Sequence, residues 1–379
     1  MKVGIDSYCY HRFFGEVYPQ QPPPPRPMSL EDFLRRARDL DVDGVSLESC
    51  FFPRLDGSYL AGIKSILDEY GLDRVYAWGH PDGLEGGANQ QAYDDMVASF
   101  ERARAIGADV MRVVGSSLMF RNQPHEPQLE RLTRMFSGAV PIAEKYGIRM
   151  AVENHIDFTA DEMLRLLTAV DSPYLGINFD TGNFVRLLDD PVKGMEKLAR
   201  YVYATHIKDL KPQKGVGADE WYFFSSTPVG DGIVDNMKLA RLLARAGYQG
   251  LLAVEIDFSA RGLWRGRRRG RGEEHSGVEE DRCGGGTGER HSQRVTAGIE
   301  ALSPTHSDNP SGGRKNTFCG VYRPQDGEHF LGDGGRQVGV HRLVAVGVVA
   351  PAARHGAGDL LTTPCAARLP GAWPCLAAG

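Results

Sequence analysis

From residue 2 to about residue 258, short apolar runs of strand character alternate one for one with segments whose apolar residues recur at helical spacing. Few folds are open to such a chain. Two parallel strands need a long crossover between them, usually a helix, so strict alternation enforces a parallel sheet covered by helices. Strands are expected at residues 2–7, 44–48, 74–78, 109–114, 148–153, 175–179, 202–207 and 251–256. Ser29, with Asp32 three residues on, opens a first helix that carries Leu30, Phe33, Leu34, Ala37 and Leu40 on one face. Leu60, Ile63, Ile66 and Leu67 mark the second helix, which stops at Gly71. Further helices are expected near 90–106, 127–146, 191–200 and 236–246, the first two and the last closed by Gly107, Gly147 and Gly247. Thr159 and Glu162 form a capping box for the helix after the fifth strand. Eight strands with seven intervening helices point to a closed α/β barrel, a (β/α)₈ TIM barrel, over residues 1–258. A doubly wound sheet is the alternative, but no GxGxxG follows the first strand.

The rhythm stops near Phe258, where an eighth helix is due. Arg261-Gly-Leu-Trp-Arg-Gly-Arg-Arg-Arg-Gly-Arg-Gly272 offers no apolar face, and half of the chain's 46 glycines lie in residues 259–379. A segment of that composition buries too little apolar area to offset its conformational entropy, so a disordered tail is expected, with helix eight missing or replaced. A reading-frame shift in GC-rich coding sequence accounts for this bias; a natural Arg/Gly-rich tail that contacts RNA or acidic partners is the other reading. In the frameshift case one face of the barrel loses its cover.

Composition narrows the function classes. A net charge of −5 gives no global pull toward nucleic acid or an anionic membrane. The 6 cysteines show no CxxC or zinc-finger spacing, so reduced thiols in a cytoplasmic protein are expected. The opening Met1-Lys2-Val3-Gly4-Ile5-Asp6 runs straight into a strand without the pattern of a secretory signal, and no apolar stretch reaches the length of a membrane span.

Four segments each end a strand with one metal-type ligand: Glu153 in Ala-Val-Glu-Asn, Asp180 in Asn-Phe-Asp-Thr, His206 in Thr-His-Ile-Lys and Glu255 in Val-Glu-Ile-Asp. In a parallel barrel, the C-terminal ends of different strands converge on one mouth. Three carboxylates and an imidazole meeting there suit one divalent ion, Mn²⁺ in the first place, with Mg²⁺, Co²⁺ or Zn²⁺ also fitting; no thiolate of a structural zinc site is present in this set.

The segments Ala151-Val-Glu-Asn-His155, Asn178-Phe-Asp-Thr-Gly-Asn183, Ala204-Thr-His-Ile-Lys-Asp209, Pro228-Val-Gly-Asp-Gly-Ile233 and Ala253-Val-Glu-Ile-Asp257 carry a resemblance. Residues 1–258 resemble the xylose isomerase-like TIM barrels of the sugar phosphate isomerase/epimerase superfamily. That group includes ketose 3-epimerases, hydroxypyruvate isomerase, inosose dehydratase and, more distantly, endonuclease IV. The resemblance implies the same four ligands at the ends of strands five to eight, Glu153, Asp180, His206 and Glu255. Many epimerases of that group place a substrate-contacting His three residues after the Asp; here the position is Asn183. The stretch Asp6-Ser-Tyr-Cys-Tyr-His-Arg-Phe-Phe-Gly15 is similar to the branch of C-glycoside deglycosidase catalytic subunits, which eliminate an aglycone from a 3-keto sugar and work with a smaller partner subunit.

The chemistry expected of this set is proton abstraction next to a carbonyl. A divalent ion chelated by a carbonyl and a neighbouring hydroxyl acidifies the C–H between them, and Glu153 and Glu255 double as ligands and acid/base groups. Bases on both faces give epimerisation, one base gives isomerisation, and a β leaving group gives elimination. Tyr8, His11, Glu48, Trp78 and His80 follow the first three strands and are expected to wall the mouth; His155 and Lys208 lie two residues past ligands and are expected to orient substrate. Each has a plainer reading: packing for Tyr8 and Trp78, an ion pair for Glu48, a loop cap for His80, a solvated charge for Lys208. The aromatic loops at 13–27 and 215–227 are expected to form lids over a small sugar or sugar-derived substrate. A homo-oligomer or a small partner subunit is compatible with all of this. A repair endonuclease needs more His ligands and a basic face, and a non-catalytic or inactivated barrel subunit needs no metal at all.

Overall fold

The computed structural model describes residues 1–18, 21–80, 82–218 and 220–257, together with the backbone of two short strands, Gly320–Val321 and Val344–Ala345, which pair antiparallel. The tail expected from residue 259, with its proposed frameshift, otherwise falls outside the described residues.

Parallel strands β1 (Lys2–Asp6), β2 (Gly44–Glu48), β3 (Asp73–Ala77), β4 (Val110–Val114), β5 (Arg149–Glu153), β6 (Leu175–Asp180), β7 (Val202–Ile207) and β10 (Leu251–Val254) close into a barrel, with β1 joining β10 to β2. Helices α1 (Leu30–Asp39), α2 (Gly57–Glu69), α3 (Gln90–Ala105), α4 (His125–Tyr146), α5 (Ala160–Val170), α7 (Pro191–Leu198) and α8 (Asn236–Arg245) lie between successive barrel strands. The capping boxes at Ser29–Asp32 and Thr159–Glu162 both form. Two features differ from the alternating pattern. A single turn, α6 (Asn183–Arg186), precedes α7, and part of the expected 215–227 loop is a strand: β8 (Asp209–Pro212) pairs antiparallel with β9 (Phe224–Thr227). Neither Asp-Leu-Lys-Pro nor Phe-Ser-Ser-Thr has the apolar run that marks the barrel strands, so only their mutual pairing makes them strands.

Side chains alternate along each strand, and this period of two builds two apolar layers. Outward-facing residues such as Ile5, Leu47, Tyr76, Val113, Val152 and Leu252 pack with the helices in the main core. Inward-facing Val75, Val110, Ala151, Ala204, Leu251 and Ala253 fill the barrel interior. Room for Leu251 comes from Gly4 and Gly44: a Cβ on Gly44 would lie 2.7 Å from Leu251 Cδ2 and 2.6 Å from the Asp73 carbonyl oxygen. Gly44→Ala is therefore expected to destabilise the barrel by about 1–3 kcal/mol through overpacking, measured as a lower urea midpoint at unchanged slope. An unchanged midpoint would show that the interior can give way. Among the described residues no helix is long and apolar enough to cross a membrane.

Candidate metal centre

The same alternation that places alanine and valine low in the barrel places polar side chains at its C-terminal end. Ala151 and Glu153, Ala204 and His206, and Ala253 and Glu255 each share the inward face of one strand or its extension, two residues apart. One ligand atom from each of Glu153, Asp180, His206 and Glu255 lies within 4.8 Å of the others. All four residues are buried, none more than 6% exposed. His206 Nδ1 is 3.5 Å from Glu153 Oε1 and 3.8 Å from Asp180 Oδ2, and it contacts Glu255 Oε2. On the far side of the ring, Nε2 lies 3.3 Å from Asp6 Oδ2.

Local backbone geometry fixes these groups. Asp180 Oδ1 accepts from the backbone N–H of Gly182 (2.8 Å) and Asn183 (2.9 Å) in the turn that starts α6. The Asn154 amide bridges β5 to β6, donating to the Asp180 carbonyl (3.0 Å) and accepting from its N–H (2.8 Å). Asp180 Oδ2, Glu255 Oε2 and His206 Nδ1 are buried and have charged neighbours in place of well-formed hydrogen bonds: Lys208 Nζ lies 3.0 Å from Asp180 Oδ2, and Glu255 Oε2 meets His206 Nδ1. Three carboxylates gathered around one imidazole away from water repel one another, and a divalent cation between them would offset that repulsion. The four residues fit a divalent metal ion of oxygen and nitrogen preference.

Electrostatics agree with that fit. Burial opposes charge on Glu153, but His206 and Arg112 hold its carboxyl well below the usual range. Burial dominates at Asp180 and pushes it up to about 6. Glu255 is lowered against its burial by His206 and Lys208, and His206 is raised well above its ordinary value against its own burial by Glu255, Glu153 and Asp6. A ligating imidazole is oriented by its other nitrogen, and Asp6 occupies that place. Asp6→Asn is expected to weaken divalent-metal binding by about 10–100-fold, read by calorimetric titration, with little change in secondary structure; unaltered affinity would remove Asp6 from the site.

The remaining expected residues separate into three groups. Asn183, Lys208, Glu48 and His155 are drawn to the cluster. Asn183 Nδ2 donates to the Asn154 carbonyl (3.0 Å) and lies 3.3 Å from Glu153 Oε1, so its amide holds a ligand in place. Lys208 is 4% exposed, not a solvated charge, with Nζ 3.0 Å from Asp180 Oδ2 and 3.3 Å from Glu255 Oε1. Glu48 pairs with Arg112, whose Nε is 3.3 Å from Glu153 Oε2. His155 is half-buried with Nδ1 unbonded, and burial lowers its pKa.

Tyr8 and His11 form a second group in the 3₁₀ turn Ser7–Phe14. The Tyr8 hydroxyl donates to Glu16 Oε1 (2.6 Å) and meets the Tyr18 hydroxyl. His11 lies between backbone carbonyls, 2.6 Å from that of Glu16 and 2.9 Å from that of Asp257, tying the first loop to the end of β10. Burial pushes the Glu16 carboxyl up to about 7 from an ordinary 4.5. A carboxyl raised on folding stabilises most below its unfolded pKa, so this contribution should be lost as pH rises from about 4.5 through about 7. Glu16→Gln should flatten the pH dependence of the melting temperature over that window; an identical profile in the variant would remove Glu16 as its source.

Trp78 and His80 form the third group, and here the expectation of a mouth wall is corrected for the tryptophan. Ala77, its predecessor, is in register with Glu48 and Arg112, which face inward, so Trp78 faces outward. It is fully buried in the helix-facing core, with Nε1 donating to Asp95 on α3 (2.9 Å). His80 is half-buried and stacks on Trp78 at 5.6 Å between centroids.

Three charged residues were not singled out from sequence: Asp6, Arg112 and Asp257. Asp257 pairs with Arg186 (2.8 Å) and lies 3.8 Å from Lys208. Pairing with Ala77 and Ala151 on the neighbouring strands puts Arg112 between Val110 and Val114 on the inward face of β4.

Comparison with known proteins agrees with this geometry. A family profile described as xylose isomerase-like TIM barrel matches residues 34–274. The chain is 29% identical over 154 residues to the 3-oxo-isoapionate decarboxylase of Pectobacterium atrosepticum, covering 40% of this chain and 53% of that enzyme, so it spans about half of that relative's length. It is 25% identical over 224 residues to the inosose dehydratase of Lacticaseibacillus casei, covering 52% of this chain and 72% of that enzyme. Both relatives are enzymes. Among solved structures, the IOLI protein with a bound zinc atom aligns with a TM-score of 0.54 at 14% identity, over 70% of this chain and 91% of that one. A D-tagatose 3-epimerase-like protein aligns with a TM-score of 0.53 at 19% identity, over 68% of this chain and 92% of that one. These two likenesses are of fold.

Proposed function

Because the chain belongs to the xylose isomerase-like TIM barrel family, we propose that it is a divalent-metal-dependent enzyme that removes a proton next to the carbonyl of a sugar or sugar-derived ketone. The observation that carries this reading is the convergence of Glu153, Asp180, His206 and Glu255 on one buried point, with a ligand atom of each within 4.8 Å of the others. Those four residues would hold the metal, Mn²⁺ in the first place. A bound divalent ion supplies Lewis acidity that polarises the carbonyl and lowers the pKa of the adjacent C–H.

The chain's own groups do the rest. Glu153 and Glu255 approach from well-separated strands, β5 and the end of β10, so each can hold a proton on its own face of a substrate carbon. Arg112 and Asn183 fix the direction of Glu153, and Lys208 does so for Glu255. The Lys208 ammonium, held charged against its burial by Asp180, Glu255 and Asp257, is placed to donate to an oxygen that gains negative charge as the proton leaves. Return of the proton to the other face inverts the carbon; return to the neighbouring carbon moves the carbonyl.

Likeness to a dehydratase supports elimination as the second reading. There the C–H electron pair forms a C=C bond and the β-substituent departs with its own pair. Incubation in deuterium oxide with a panel of ketoses and 3-keto glycosides tests both. Exchange at the α-carbon with retained substituents indicates isomerisation or epimerisation, loss of the β-substituent indicates elimination, and no exchange with any compound in the presence of metal would contradict the proposal.

A further inference from the structure

Asp257, two residues past Glu255, is met by segments that follow three other barrel strands. Its backbone carbonyl lies 2.9 Å from His11 Nε2, in the loop after β1. Its Oδ1 accepts from the Ser226 hydroxyl on β9, in the hairpin that follows β7. Its Oδ2 accepts from Arg186 of α6, after β6 (2.8 Å), and lies 3.8 Å from Lys208 Nζ. All five residues are buried. Hydrogen bonds to a carboxylate are strong, and stronger where water is shut out.

We infer that Asp257 is a positioning residue: it latches the loop after β1 and the β8–β9 hairpin to one point and holds Lys208 at that point, so that the two segments open together. The use made of Lys208 rests on the function proposed above; the latch does not. Lys208 has three carboxylate neighbours, and two of them, Asp180 (3.0 Å) and Glu255 (3.3 Å), belong to the four candidate ligands. A divalent ion draws on the same negative charge. Asp257 is the ammonium's partner outside that set. Arg186 grips the Asp257 carboxylate from α6, the turn whose first N–H groups fix Asp180. Contacts that share one buried group are coupled, so loss of one loosens the others.

The test is amide hydrogen exchange of the full chain with Mn²⁺ present, read segment by segment by mass spectrometry, together with acetylation of Lys208 by acetic anhydride. Ser226→Ala removes only the hairpin's bond to Asp257, yet exchange should rise by about 10–100-fold in residues 7–18 as well as in residues 224–227. Asp257→Ala keeps the backbone carbonyl that faces His11, but should loosen both segments and α6 by at least as much and speed acetylation of Lys208. Asp257→Asn can still accept from Ser226, so the hairpin should stay protected while Lys208 reacts faster than in the parent chain. If only the function proposed above is wrong, no ketose or 3-keto glycoside exchanges its α-hydrogen, and the two segments still open together. A rise confined to residues 224–227 in Ser226→Ala, or an equal rise in α2 and α4, would overturn the latch. Unchanged acetylation of Lys208 in either Asp257 variant would overturn its positioning.

Discussion

Glu153→Gln and Glu255→Gln should each lower deuterium exchange into substrate by about 10²–10⁴-fold, the usual loss when a general base is removed. Glutamine keeps the shape of the side chain and one carbonyl acceptor but cannot take a proton. The two variants differ in their structural consequences. Glu255 shares Lys208 with Asp180 and Asp257, so its neutralisation leaves the ammonium with two carboxylate partners. Glu153 shares Arg112 with Glu48 and is also held by Asn183, so its neutralisation leaves the guanidinium with one partner. Glu153→Gln should therefore melt lower than Glu255→Gln while both remain folded at assay temperature. Weaker metal binding should add to the loss in both, so exchange is to be compared at saturating metal. Near-normal exchange in either variant would show that its carboxylate is not a base.

Arg112→Met should be the most destabilising single change in the barrel interior, at about 3–5 kcal/mol. Arg112 is 7% exposed and its partners Glu48 and Glu153 are 4% and 2% exposed, so removing the guanidinium leaves two buried carboxylates without their cation. The guanidinium also donates to the Trp78 carbonyl (3.2 Å), joining β4 to the end of β3. Adding Glu48→Gln to Arg112→Met should recover part of the loss, because one uncompensated charge is then gone. Chemical denaturation of the two single variants and the double variant gives the coupling. A cost below about 1 kcal/mol for Arg112→Met would mean that water or rearrangement replaces the ion pair.

Much of this fold is legible in the sequence because its signal is local. Each helix carries its apolar face at helical spacing, and each barrel strand is a short apolar run, so Leu30–Asp39 and Gly44–Glu48 can be read without knowing their partners. The four candidate ligands are legible for a related reason: parallel strands in a barrel all end at one mouth, and a polar residue that ends an apolar run stands out. Trp78, Arg112 and Asp6 depend on which face of a strand a residue occupies. That face follows from register with neighbouring strands, as in Ala77 opposite Arg112 or Asp6 opposite Ser46, and register is not visible in an isolated run. The β8–β9 pair is less legible still. Asp209 fixes it with a buried carboxylate that accepts from the N–H groups of Gly230 (2.8 Å), Gly232 (2.9 Å) and Val234 (3.0 Å), contacts that form only once the loop has folded back. At Gly232 a Cβ would stand 1.9 Å from Asp209 Oδ1, so this loop needs its glycine.

Direct titration of the metal-stripped full chain with Mn²⁺, followed by calorimetry and by elemental analysis after desalting, tests the central claim. The geometry of Glu153, Asp180, His206 and Glu255 predicts about one tightly held ion per chain, a melting temperature that rises with metal concentration, and loss of both in His206→Ala. No divalent binding by the intact chain, or undiminished binding by His206→Ala, would contradict it.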